Sequence, residues 1–217
     1  MERNLLFKPN DYFNQYRREM LPYIPEHAKI ILEVGCAEGL FGAALKHKIK
    51  EVWGVEYDPK QSMKAQNRLD KVFTGDIAEV MMFLPDHYFD CIVCNDVLEH
   101  LIDPYTILDS LKQKLTSEGV IVSSIPNIRY FRNLYDFVIN KNWDYTDSGI
   151  MDKTHYRFFT VKSIRKMYEN LGYKIIKHEG INPSRSIRPL LWNIITLNAF
   201  WDIKFCQFAT VAQPIKR

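Results

Sequence analysis

Apolar and polar positions change period repeatedly along this chain. Short runs rich in β-branched residues, such as Ile30-Ile31-Leu32-Glu33-Val34 and Cys91-Ile92-Val93-Cys94, are separated by stretches with helical periodicity. The pattern predicts strands over Lys29–Val34, Glu51–Glu56, Lys71–Phe73, Phe89–Asn95, Gly119–Ser124, Tyr173–His178 and Phe205–Ala212. Helices fill the gaps: Tyr12–Leu21, broken by Pro22 and Pro25, then Leu40–Lys48 and Pro59–Leu69, which opens on a proline favoured at helix entry. Pro104–Leu115 follows Asp103 as N-cap, and Val161–Leu171 lies between Thr160 as N-cap and Gly172 as stop. Strands alternating with helices predict an α/β fold, a doubly wound, seven-stranded, mostly parallel sheet covered on both faces.

Two stretches exceed a minimal α/β unit. Residues 126–160, rich in Arg, Asn, Tyr and Trp, make a lid-like insertion, since connections that long inside a compact domain usually carry function. Residues 181–204 form an apolar helical segment flanked by Arg185 and Arg188, read as a helix packed on the last strands. A membrane-surface helix and a homodimer surface are its alternatives. With 1–27 as an N-terminal helical cap, the whole chain, 1–217, reads as one domain.

Composition narrows the class without naming it. A hydrophobic content of 47%, a charged content of 25% and a net charge of +3 are those of an ordinary globular protein, and the charge by itself gives no argument for nucleic acid or an anionic membrane. The sequence shows no signal-peptide core and no apolar run long enough to span a membrane, so a cytoplasmic location is expected. Cys91 and Cys94 lie three apart on a strand and point to opposite faces, which makes them core fillers and not a metal or redox pair.

Candidate chemistry begins at Glu33-Val34-Gly35-Cys36-Ala37-Glu38-Gly39, where the first strand breaks into a glycine turn. In open α/β sheets ligands bind beyond the strand C-termini. The dinucleotide pattern G-x-G-x-x-G is not met, because Ala37 and Leu40 stand at its second and third glycine positions, which speaks against a dehydrogenase. Glu56, 21 residues past Gly35, ends the second strand where an acid accepts hydrogen bonds from a ribose diol. At the end of the third strand, Asp76 is placed to accept from an adenine amino group and Ile77 to pack on the ring.

The turn Glu33-x-Gly35-x-Ala37-x-Gly39 resembles motif I of the class I S-adenosylmethionine-dependent methyltransferases. With Glu56, Gly75-Asp76 and Asn95-Asp96-Val97-Leu98-Glu99-His100 following in order, the chain is similar to the small class I enzymes that include the quinone-biosynthesis O-methyltransferases. Glu118 to Asn127 and Thr154 to Thr160 extend the match, which covers roughly Lys29 to Glu179. The resemblance implies a Rossmann-like sheet with its last strand antiparallel, and S-adenosylmethionine as cofactor. It also implies that Glu33, Gly35, Ala37 and Gly39 frame the methionine part, with Asn95 near the sulfonium. Ala37 departs from the commoner middle glycine by one methyl group. The expected activity is methyl transfer to a hydroxyl of a small molecule or a sugar/glycan precursor. A non-catalytic cofactor-binding protein on the same fold is the rival of another class.

A hydroxyl acceptor must lose its proton, and His100 and His155 are the candidate catalytic residues. Asp96, Glu99 and His100 share one helical face, and with His155 they also form a candidate divalent-metal set. The small-RNA 2′-O-methyltransferases resemble this arrangement, with Asp96 standing where they carry a glutamate, so a metal-dependent RNA 2′-O-methyltransferase-like enzyme is a further alternative. Tyr12, Tyr16, Arg129, Tyr130 and Trp143 are candidate substrate contacts, since arginine grips anionic groups and aromatics stack on rings. No dense basic tract or RNA-binding module accompanies them, so a small-molecule or glycan acceptor is preferred over nucleic acid.

Overall fold

The computed structural model describes residues 16–215. Seven strands, β1 (Ile30–Val34), β2 (Glu51–Glu56), β3 (Lys71–Thr74), β4 (Phe89–Asn95), β5 (Leu115–Pro126), β6 (Tyr173–Pro183) and β7 (Phe205–Pro214), form one sheet in the order β3-β2-β1-β4-β5-β7-β6. β7 lies antiparallel between β5 and β6, and the other pairings are parallel. The chain winds outward from β1 to β3, then returns to lay β4 on the other side of β1. That reversal is the switch point beside which α/β sheets bind ligands.

Alternation along the strands divides the core between the two faces. Leu32, Ile92 and Cys94 belong to one apolar cluster, while Ile31, Cys91 and Val93 belong to the other. Each fully buried Leu or Ile contributes about 1.5–3 kcal/mol. Cys91 and Cys94 are free thiols on opposite faces, as the strand period requires.

The helices are α1 (Leu40–Leu45), α2 (Pro59–Gln66), α3 (Ile77–Val80), α4 (Pro104–Leu111), α5 (Phe131–Val138), α6 (Val161–Asn170) and α7 (Arg188–Ile195), and side-chain caps start α2, α3, α4 and α6. Asp58 and Asp103 accept two backbone N–H groups each at the starts of α2 and α4. Thr160 and Ser163 form a capping box at α6. α1, α2 and α4 stop three or four residues short of their predicted ends. The sequence pattern missed α3, a single turn capped by Asp76, and α5 inside the long insertion.

Two expectations need correction. The N-terminal helix, as far as it falls within the described residues, is a 3₁₀ turn over Arg18–Tyr23 that runs through Pro22, and Arg17 before it is left-handed at φ 44°. A left-handed residue cannot continue an α-helix, so the segment turns sharply there. The 181–204 segment does contain a helix, but α7 is not packed on the last strands. It buries only Pro189, and its apolar stripe faces outward.

Candidate active site

The pocket opens where β1, β2 and β4 end. Gly35 donates its N–H to Val55 O at 2.8 Å and is left-handed at φ 68°. A Cβ on Gly35 would stand 2.6 Å from Val97 Cγ2, so the loop after β4 can close over the turn only because position 35 lacks a side chain. Gly39 works differently from expectation. It opens α1 at φ 74°, and a Cβ there would press on Ala65 and Leu69, so it seats α1 against α2 and lies outside the pocket wall. Ala37 is also left-handed, at φ 46°, a conformation that costs a residue with a Cβ about 1–2 kcal/mol.

Hydrogen bonds hold that strained turn. Glu56 Oε2 accepts the Ala37 N–H at 2.8 Å, and its Oε1 accepts the Asp58 N–H at 2.8 Å. The Tyr57 N–H also lowers this carboxyl, so part of its acceptor capacity is spent on the backbone and the rest lies on the pocket wall. Burial raises the Glu56 carboxyl above its usual range, against the lowering pull of those N–H groups. Glu33 accepts the Gly42 N–H at 3.0 Å, and its burial pushes the carboxyl up to about 8. Asp76 and Ile77 line the pocket as expected, with one Asp76 oxygen engaged by Ala78 N–H as the cap of α3.

At the end of β4, Asn95 lines the pocket with its amide buried and lacking a hydrogen-bond partner among the described residues. Buried amides are rarely left so, which marks a place for a polar ligand. The cavity volume of about 380 Å³ lies within the range of small-ligand pockets.

The long insertion supplies the opposite wall. Its returning segment docks on the turn after β4, where Glu99 O accepts the N–H groups of Tyr156 and Arg157. The rings of His100 and His155 meet edge to face with centroids 4.5 Å apart. His100 Nδ1 lies 3.1 Å from Thr154 O, and His155 Nδ1 lies 3.0 Å from Ile150 O. Donation from Nδ1 to a carbonyl leaves the basic lone pair on Nε2. One ligand atom from each of Glu99, His100 and His155 falls within a 4.8 Å cluster. Glu99 is almost fully buried, and neither carboxylate oxygen has a hydrogen-bond partner among the described residues. Its burial, reinforced by the charge of Asp96, pushes it well above the usual carboxylate range.

Asp96 does not join that cluster. Arg17 pairs with it, and Ser124 Oγ and Gln207 Nε2 donate to its Oδ1 at 3.2 and 2.6 Å. Such a saturated carboxylate is a structural partner, which corrects its assignment as a metal ligand. The substrate candidates fare unevenly. Tyr12 lies outside the described residues, and Tyr16, Tyr130 and Trp143 do not line the pocket. Arg129 is locked onto Asp202 by two bonds at 2.6 and 3.2 Å, and Trp143 packs on Phe137 and Phe158.

Several wall residues were missed from the sequence: Arg17, Tyr57, Ile150, Asp152 and Gln207. Gln207 had a visible signal, as an amide set among the apolar residues at the start of β7. Arg17 had none, because only the turn at its own backbone brings it over the pocket.

With this geometry in place, the chain can be set among known proteins. A family model described as a methyltransferase domain matches residues 9–178. The chain belongs to the class I S-adenosylmethionine-dependent methyltransferases. An uncharacterized methyltransferase of Mycobacterium tuberculosis is 32% identical over 111 residues, 49% of this chain and 56% of that protein. The ubiquinone biosynthesis O-methyltransferase of Nitrosospira multiformis is 26% identical over 133 residues, 57% of this chain and 54% of its own length. The chain therefore spans about half the length of the curated relatives it matches. A solved S-adenosylmethionine-dependent methyltransferase from Archaeoglobus fulgidus shares the fold, with a TM-score of 0.66 over 90% of each chain at 24% identity. No helix among the described residues is long and apolar enough to cross a membrane.

Proposed function

We propose that the chain transfers a methyl group to a hydroxyl of a small molecule or a sugar/glycan precursor, with His100 and His155 handling the hydroxyl proton. The observation that carries this reading is the pair of touching imidazoles on the pocket wall, beside the end of β4. The family's donor supplies an activated methyl on a sulfonium. The residues for it fit the pocket: the unpartnered Asn95 amide, the Glu56 lone pairs and the buried Glu33 are polar groups spaced along one wall. Glu56 would hold the ribose, Asp76 and Ile77 the adenine, and Glu33 with the Gly35–Ala37 backbone the methionine end.

This chain's own work is then orientation and proton removal. Orienting two reactants can supply about 7–11 kcal/mol of the barrier. The Nδ1 contacts of both histidines fix their rings, and an Nε2 lone pair takes the proton as the oxygen–methyl bond forms and the sulfonium bond breaks. The similarity to a protein named as a ubiquinone biosynthesis O-methyltransferase supports oxygen as the acceptor atom.

A second reading keeps the same residues and adds a divalent cation held by Glu99, His100 and His155. It is favoured by the buried Glu99 carboxyl without a donor and by imidazoles whose Nδ1 atoms are braced on carbonyls, as metal-bound histidines usually are. The cation would polarise the acceptor oxygen and lower its pKa.

The test is transfer from a methyl-labelled donor to a panel of phenols and sugar alcohols, with the product's linkage read by mass spectrometry. O-methyl products, and a fall of about 10²–10⁴ in kcat for His155→Ala with unchanged S-adenosylhomocysteine affinity, are expected. Products methylated only on nitrogen or carbon contradict the reading. Full activity after chelation removes the metal variant alone.

A further inference from the structure

The outward face of α7 carries a feature that methyl transfer does not use. Ile187, Leu190, Leu191, Ile194 and Ile195 recur at i, i+3, i+4, i+7 and i+8, the stripe by which a helix normally faces a core. Here all five lie between 48% and 81% exposed, while Pro189, on the opposite side, is the residue the helix buries. Leu197, just past the helix, is 92% exposed. Contiguous apolar surface of this kind marks an interaction face.

Charge decides the partner. No acidic residue occurs from Ser184 to Trp201, whereas Arg185 and Arg188 are exposed at the edge of the stripe and Lys204 is exposed where the chain rejoins β7. None of these three makes a salt bridge among the described residues. Asp202 is buried and already paired with Arg129. A twofold pairing of this face with itself would set basic residues against basic residues. An anionic bilayer instead accepts the apolar stripe in its interface and attracts the arginines at its headgroups. Trp192, exposed next to Leu191 on α7, suits the same depth, while Trp201 packs on Phe205 and Phe208 and stays partly exposed.

We propose that the β6–β7 excursion, residues 184–204, is a peripheral docking surface for anionic lipid bilayers, lying on the surface and not crossing it. The inference does not depend on which acceptor the pocket takes. The full chain is sedimented with vesicles of pure phosphatidylcholine and of phosphatidylcholine containing about a third phosphatidylglycerol. Binding to the anionic vesicles is expected, with a blue shift of tryptophan emission and a loss on moving from about 0.1 M to about 0.5 M salt. Ile195→Glu/Leu197→Glu should weaken vesicle binding about tenfold or more without lowering the melting temperature. Arg185→Glu/Arg188→Glu should erase the preference for anionic lipid. The proposal is overturned if the wild-type chain ignores anionic vesicles. It is overturned equally if it sediments as a dimer that the Ile195→Glu/Leu197→Glu variant dissolves while vesicles have no effect.

Discussion

Glu56 at the end of β2 accepts the backbone N–H of Ala37 at 2.8 Å, tying the second strand to the strained turn that follows the first. The acid is thus part of the turn's structure as well as of the pocket wall. Its other oxygen holds Asp58 N–H, so this pocket-lining carboxylate, the start of α2 and the turn after β1 are fixed as one unit.

Glu33 should give the protein a pH-dependent stability of definite sign. The folded carboxyl holds its proton to about pH 8, whereas the unfolded chain releases it near its ordinary value of 4.5. Stability from this group is complete below about 4.5 and is lost as pH rises through 8. Glu33→Gln, which keeps an acceptor for Gly42 N–H, should gain on the wild type by a few kcal/mol, on the order of the shift, between pH 5 and pH 8. Urea unfolding across that range checks this, and parallel curves for the two proteins refute it.

Gly35→Ala should destabilise by about 1–3 kcal/mol, because the new methyl meets Val97 Cγ2 at 2.6 Å and the backbone there is left-handed. Val97→Ala in the same chain should return part of the loss by removing the contact. Thermal melts of the two single variants and the double variant provide the comparison. A double variant no more stable than Gly35→Ala alone would assign the whole cost to the backbone.

The Arg17–Asp96 pair is a latch between the N-terminal segment and the loop after β4. Removing Arg17 leaves Asp96 near Glu99 with no counter-charge. Arg17→Met should cost about 1–3 kcal/mol, less than a fully buried pair because Asp96's side chain is 28% exposed. Arg17→Met/Asp96→Asn should recover most of it. A double-mutant cycle by denaturant unfolding tests this, and simple additivity would refute the coupling.

The elements most legible from sequence were those set by local chemistry. Asp58-Pro59, Asp103-Pro104 and Thr160-x-x-Ser163 announce helix starts through backbone bonds made within a few residues. Glu56 and Ile77 lie on the pocket wall because strand ends in this topology converge on one edge, which the strand pattern makes legible. The direction in which a side chain turns was not legible. Asp96 and Glu99 sit three residues apart, yet Arg17, 79 positions away in sequence, claims one and leaves the other for the histidines. Arg129 was read as an anion contact, but Asp202 had already taken it. The stripe on α7 has the spacing of a core helix, and only the tertiary structure shows that it faces outward.

The central claim is that Glu56 and the Gly35–Ala37 turn hold a nucleoside-bearing methyl donor and not a dinucleotide. Calorimetric titration of the chain with S-adenosylhomocysteine and with NAD addresses it most directly. Saturable binding of S-adenosylhomocysteine, a loss of about tenfold in Glu56→Gln and more in Glu56→Ala, and no heat with NAD are predicted. Binding of NAD with indifference to S-adenosylhomocysteine, or an unchanged affinity in Glu56→Ala, would contradict the account.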